Sequence, residues 1–112
     1  MSDTPHPPLD VDHLLPPKAV QTATVRLLKG FADGTRLQLL ALLREGEVCV
    51  HQLVEVLDIS QSAVSHQLRV LREAHLVHGR RDGRHVYYRL ADEHVRSLLD
   101  NALLHGEETV DS

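Results

Sequence analysis

Four residues toward the C-terminal end of this 112-residue chain have the types and spacing of metal ligands: Asp92 and His94, then His105 and Glu108. Imidazole and carboxylate both suit zinc, and four such groups complete a tetrahedron. His105 and Glu108 are three residues apart, which puts them on one face of a helix. Asp92 and His94 fall where that helix should begin, so Asp92 is free to stay non-helical and swing toward a metal. His94 and His105 are eleven residues apart, about 16 Å at 1.5 Å per helical residue. Zinc–nitrogen bonds are only about 2 Å, so these two histidines cannot share an ion within one chain. Eleven residues at about 100° each amount to roughly three turns plus 20°, so both pairs lie on one stripe. A two-fold axis that sets a second copy antiparallel brings Asp92 and His94 of one chain against His105 and Glu108 of the other. The spacing therefore predicts a homodimer with two intersubunit zinc sites. Gly106 should fray the helix just ahead of Glu108, which leaves Glu107 as an alternative fourth ligand.

A second set of residues has the chemistry of nucleic-acid contact. Between Ser60 and His75 the apolar residues Val64, Leu68 and Leu71 recur at helical spacing and define a buried stripe. Ser62, Ser65, His66 and Arg69 form a separate polar stripe. Short hydroxyl side chains and one arginine suit hydrogen bonding to base edges and phosphates in a major groove. Ser60 and Gln61 open the same helix. Arg80, Arg81 and Arg84 cluster around Asp82-Gly83, a dipeptide that marks a hairpin between Val77–Arg81 and Arg84–Leu90. A two-stranded ribbon with a basic tip can lie along a phosphate backbone or enter a minor groove. His66 sits beside Ser62 and Ser65, which superficially suggests a hydrolase. No third orienting group or oxyanion loop accompanies them, so an enzyme is the weakest reading.

Several elements must hold these side chains. Residues 1–17 contain all five prolines and read as an N-terminal arm. From Lys18 to about Ala32, Val20, Ala23, Leu27, Leu28 and Phe31 recur as on a helix, with Gly30 weakening its end. Asp33 then caps a helix over Thr35–Arg44, which Gly46 ends. Val48–Val50 forms a short extended piece. A helix over His51–Leu57 follows, then a tight turn at Asp58-Ile59, then the helix carrying the polar stripe. After the hairpin a last helix covers about Asp92 to Gly106, ahead of a polar tail. Helix, helix, helix, turn, helix, hairpin, helix is the order of a winged helix-turn-helix, with the fourth helix reading DNA and the hairpin as the wing. The expected fold is thus mostly α with a small β-hairpin wing, in one domain over residues 18–108 between an arm (1–17) and a tail (109–112).

Composition constrains the alternatives. The formal net charge of −4 argues against a nucleic-acid binder until its distribution is considered. Between Ser60 and Arg89 there are six arginines against two acids, so that segment carries +4 and the rest −8. One face only should meet DNA. Apolar residues make up 42 % of the chain, enough for a folded core, and that core must be mostly Leu, Val and Ala because the chain has one Phe, two Tyr and no Trp. Cys49 is the only cysteine, which rules out an internal disulfide framework and fits a reducing cytoplasm. No apolar run is long enough to span a membrane, and the N-terminus lacks the pattern of a signal peptide.

Three segments resemble the ArsR/SmtB family of metal-responsive bacterial repressors. They are Phe31-Ala32-Asp33-Gly34-Thr35-Arg36-Leu37, the run from Ser60 to Arg72, and the second hairpin strand Gly83 to Leu90. The resemblance covers roughly residues 18 to 108 and implies a homodimer formed through the first and last helices, binding palindromic double-stranded operator DNA. Asp92-x-His94 with His105-x-x-Glu108 resembles the zinc-sensing site of SmtB-type members, which implies release of DNA on binding zinc. Family members also sense other metals (cadmium, cobalt, nickel, copper) or non-metal signals. Some relatives place thiolates at the position of Cys49 and recruit ligands from the arm. Here that second site would combine Cys49 and His51 with His6 and His13, a set suited to zinc, cadmium or copper(I). His75, His78 and His85 have no partner at ligand spacing and read as structural or surface residues.

Overall fold

The computed structural model describes residues 5–110; the first four residues of the expected arm and the last two of the expected tail lie outside it. The chain runs α1 (Val11–Leu14), α2 (Lys18–Phe31), α3 (Gly34–Leu42), β1 (Val48–Cys49), α4 (Val50–Leu57), α5 (Gln61–Glu73), β2 (Val77–Asp82), β3 (His85–Leu90) and α6 (Glu93–Val110). The expected arm thus contains one helical turn. Asp10 starts it by accepting a hydrogen bond from the His13 N–H at 3.2 Å, the ordinary N-cap role of an aspartate.

Helix starts follow the same rule elsewhere. Asp33 accepts from the Arg36 N–H to open α3, Ser60 Oγ accepts from the Ala63 N–H to open α5, and the Asp92 carboxylate accepts from the Val95 N–H at 3.0 Å to open α6. The last of these bears on function, because Asp92 is non-helical as the sequence suggested but already employed as a cap.

The core is a leucine cluster. Leu39, Leu40, Leu43, Leu53, Val64, Leu68, Leu71, Leu76, Val77 and Leu99 are fully buried. They come from α3, α4, α5, α6 and the entry to β2. By contrast α2 buries only Gly30, and Val20, Val25 and Leu28 stay about half exposed. Leu104 of α6 is exposed as well. The first long helix and the last therefore leave apolar side chains uncovered in a lone chain.

α2 ends one residue after Gly30, and this glycine also permits a close approach. A β-carbon there would lie 2.7 Å from Leu76 Cδ1 and 3.1 Å from Ala74 Cβ. Those residues belong to the turn that ends α5. In that turn His75 takes φ 62°, the Leu76 N–H donates to the Leu71 carbonyl at 2.9 Å and the His75 N–H to the Arg72 carbonyl at 3.0 Å. This is the Schellman arrangement, with histidine where glycine is usual.

The three strands form one antiparallel sheet in the order β1-β3-β2. Asp82 pairs with His85, so the two-residue hairpin loop is Gly83-Arg84, one position later than the sequence suggested. Gly83 has φ 61° and Arg84 does not share a positive value. Glycine first and an ordinary residue second is the requirement of a II′ hairpin turn.

Candidate DNA-reading surface and metal-ligand helix

α5 presents the two stripes anticipated from its sequence. Val64, Leu68 and Leu71 are buried, while Gln61, Ser62, Ser65, His66 and Arg69 are exposed on the other side. Ser60 does double duty: besides capping the helix, its hydroxyl lies 3.2 Å from that of Ser62. α4 braces α5 from behind, ending at Asp58 in the left-handed conformation (φ 52°), which reverses the chain into Ser60.

Arg36 fixes α5 relative to the rest of the domain. Its guanidinium donates to the carbonyls of Gly30 (3.0 Å) and Lys29 (3.1 Å) at the end of α2, and to Gln67 Oε1 on α5 (3.0 Å). A cation at a helix C-terminus also meets the negative end of the helix dipole.

The wing and α5 enclose a cleft of about 430 Å³ whose wall includes His51, Ser65, Arg72, Arg80, Arg81 and Arg84. The guanidinium groups of Arg72, Arg81 and Arg84 at this groove suit phosphate, which guanidinium binds in a bidentate fork. Arg72 escaped the sequence reading because it lies a turn beyond the polar stripe; only the packing of the wing against α5 brings it to the cleft. Among the described residues Arg72, Arg81 and Arg84 form no ion pair. Arg80 is different. It donates from Nε and Nη2 to the two carboxylate oxygens of Glu47 at 2.7 and 2.8 Å, and its guanidinium carbon lies 4.6 Å from the centre of the Tyr87 ring. The hydrogen bonds from Arg80 hold Glu47 below the usual carboxylate range.

Both ligand pairs of the last helix are in place on α6 or at its start. His94 Nδ1 is 3.8 Å from Asp92 Oδ1, and His105 Nδ1 is 3.7 Å from Glu108 Oε2. Two ligands of a tetrahedral zinc with bonds of about 2 Å stand about 3.3 Å apart, so each pair is within a few tenths of an ångström of shared-ligand spacing. His94 and His105 are almost fully exposed, at 97 % and 81 %. The Val95 N–H bonded to Asp92 keeps that carboxylate ionised below its usual range. α6 does not fray at Gly106; it runs on to Val110, so Glu108 stays in helical register with His105. Glu107 instead lines a groove with Arg44, Arg96 and Asp100, on another face.

The Cys49 set is only partly assembled. Cys49 is buried, and its Sγ lies 3.8 Å from His85 Nδ1. The His51 and His85 rings meet edge to face with centres 6.0 Å apart. His85 was read as unpartnered because the strand register that sets it beside Cys49 is not local in sequence. His6 and His13 are not brought to Cys49 and His51: among the described residues no three His, Cys, Asp or Glu side chains gather as a metal site. Among the described residues no helix is long and apolar enough to cross a membrane.

Comparison with known proteins places this architecture. Residues 33–78 match the family described as "Bacterial regulatory protein, arsR family". The chain is 40 % identical over 96 residues to the HTH-type transcriptional repressor SmtB of Mycobacterium tuberculosis, covering 85 % of this chain and 71 % of the relative. The solution structure of a homodimeric winged helix-turn-helix DNA-binding domain (fragment 1–100) from Mycobacterium bovis superposes with a TM-score of 0.78 at 30 % identity, over 93 % of this chain and 92 % of that one. The AntR antimony-specific transcriptional repressor superposes with a TM-score of 0.76 at 33 % identity, over 88 % and 89 %. The chain therefore belongs to the arsR family of bacterial regulatory proteins, as a DNA-binding winged helix-turn-helix transcriptional regulator rather than an enzyme.

Proposed function

We propose that this regulator is a metal-responsive repressor of the cytoplasm, which holds palindromic operator DNA as a metal-free homodimer and releases it on binding zinc. The observation that carries the reading is the pair of two-residue ligand sets at the start and toward the end of one uninterrupted helix, too far apart to serve one ion in a single chain. Each set supplies half a tetrahedron. Asp92 and His94 would meet the partner's His105 and Glu108, giving two equivalent sites per dimer. The exposed apolar residues of α2 and α6 support pairing through those helices, since a small domain gains stability by burying such a face. When bound, zinc supplies a cross-link between subunits that exists in one dimer shape and not another.

DNA contact falls to Ser60, Gln61, Ser62, Ser65, His66 and Arg69 of the reading helix, and to Arg80, Arg81 and Arg84 of the wing. Two such helices about 34 Å apart match one turn of duplex. By linkage, operator DNA must weaken zinc binding by the factor that zinc weakens DNA binding. The donor set favours zinc over a soft metalloid. Softer ions prefer thiolates, and this chain has Cys49 alone. The test is fluorescence anisotropy of a labelled palindromic duplex with and without zinc, for the wild type and His94→Ala. Zinc should release the duplex from the wild type and not from the variant. Indifference of the wild type to zinc, with DNA binding intact, would leave a repressor that senses something else.

A further inference from the structure

Of Arg80, Arg81 and Arg84, only Arg80 is held by another side chain among the described residues. Its side chain leaves β2, crosses the central strand over the Tyr87 ring, and meets Glu47 just ahead of β1. Tyr87 lies opposite both Cys49 and Arg80, so these three residues form one cross-strand row on one face of the sheet, with Arg81, Val86 and Tyr88 on the other. Glu47 enters that face at the neighbouring position. The contact is bidentate, with both guanidinium edge donors on both carboxylate oxygens. A phosphodiester offers the same fork through its two non-bridging oxygens. Arg72, Arg81 and Arg84 on the wall of the cleft are not so engaged, and the Arg80 guanidinium lies with Tyr87 on the other face of the wing.

We propose that Glu47 is an intramolecular competitor for Arg80: it occupies the guanidinium in the free protein, and a DNA backbone phosphate displaces it when the wing engages. This rests on the reading of the wing as a DNA contact. The exchange swaps one anion for another on the same fork, so Arg80 contributes less to affinity than its charge suggests. Glu47, an acid remote from the reading helix in sequence, then sets the strength and salt dependence of wing docking. The partner is duplex DNA of any sequence, because the contact is to the backbone.

The experiment measures binding of wild type, Glu47→Gln, Arg80→Ala and the double variant to a fluorescein-labelled random duplex of roughly 30 base pairs, about three helical turns, across a salt series. Freeing Arg80 should let it act as a full phosphate contact, steepening the log–log salt slope by up to about 0.9. Binding at low salt should tighten a few-fold, an advantage reduced about three-fold between 50 and 200 mM salt. The advantage must vanish in the Arg80→Ala background. Unchanged affinity and slope in Glu47→Gln overturn the inference, as does a gain that survives Arg80→Ala. Should Glu47→Gln fold poorly, the Arg80 Nε–H resonance of the wild type gives a second readout. It must shift when duplex saturates the protein, and a resonance unmoved with DNA bound also overturns the inference. Failure of the wild type to bind duplex at all would instead remove the proposed function, and this inference with it.

Discussion

Replacing Arg36 with methionine keeps the apolar stem and removes three charged donors at once. The acceptors left behind are the Gly30 and Lys29 carbonyls at the end of α2 and Gln67 Oε1 on α5. Gly30 is buried, so its carbonyl cannot fully rehydrate; the other two recover water more easily. Hydrogen bonds from a charged donor are worth about 1.5–3 kcal/mol when both partners are well placed, and less where solvent replaces the donor. With one buried acceptor and two partly exposed, the expected loss is about 2–3 kcal/mol, or about 1–2 M in urea midpoint at a typical slope for a small protein. The assay is urea unfolding followed by circular dichroism, at one fixed protein concentration because dimer stability depends on it. Arg36→Lys keeps the charge but reaches fewer acceptors, so it should fall between. A loss below about 0.5 kcal/mol for Arg36→Met, the range of an ordinary surface change, would refute the claim that this side chain fixes the reading helix.

Other consequences follow from the same geometry. Gly30→Ala should destabilise by about 1 kcal/mol, because overpacking against fully buried Leu76 exceeds the roughly 1 kcal/mol that helix propensity favours; a net gain in thermal unfolding would show that Leu76 gives way freely. His75→Gly should stabilise by about 0.5–1 kcal/mol, since histidine holds φ 62° there, and a loss would mean that the imidazole makes a contact of its own. The Arg80 hydrogen bonds, followed by the nearby charges of Arg80 and Arg89, lower the Glu47 pKa. Below the ordinary carboxylate range the folded chain therefore binds fewer protons than the unfolded one, so this contribution is complete at neutral pH and fades as pH falls through the lowered value. Glu47→Gln should flatten that part of the acid-unfolding profile; an equally steep profile would contradict the assignment.

What the sequence disclosed depended on how local the determinant was. The stripe of Val64, Leu68 and Leu71 lies within three turns of one helix, and its burial was legible from spacing. So were the cap Asp33 and the existence of the hairpin, whereas Ser60 was placed inside the helix that it caps. The turn register was one residue off because Asp82-Gly83 satisfies the same composition rule as Gly83-Arg84; only the pairing of Asp82 with His85 decides between them. Gly106 looked like a helix breaker, but one glycine costs only about 1 kcal/mol, and α6 continues past it. Gly30 falls at the end of α2 as its composition suggested, but its contact with a turn over forty residues away has no local signal. The Glu47–Arg80 pair and the approach of His85 to Cys49 both need β1 to lie against β3, which no short-range pattern encodes. The half-sites on α6 were legible from spacing, whereas the cap role of Asp92 emerges only from its bond to Val95.

The division of each metal site between two subunits is best tested with a mixed dimer of one His94→Ala chain and one His105→Ala chain. Either homodimer has both sites damaged. In the mixed dimer both lesions fall on one site, and the other is wholly native. Titrated with zinc against a chromophoric chelator, the mixed dimer should recover one site of wild-type affinity per dimer while each homodimer has none. Equal weakness in all three would contradict shared sites and place the ligands within single chains.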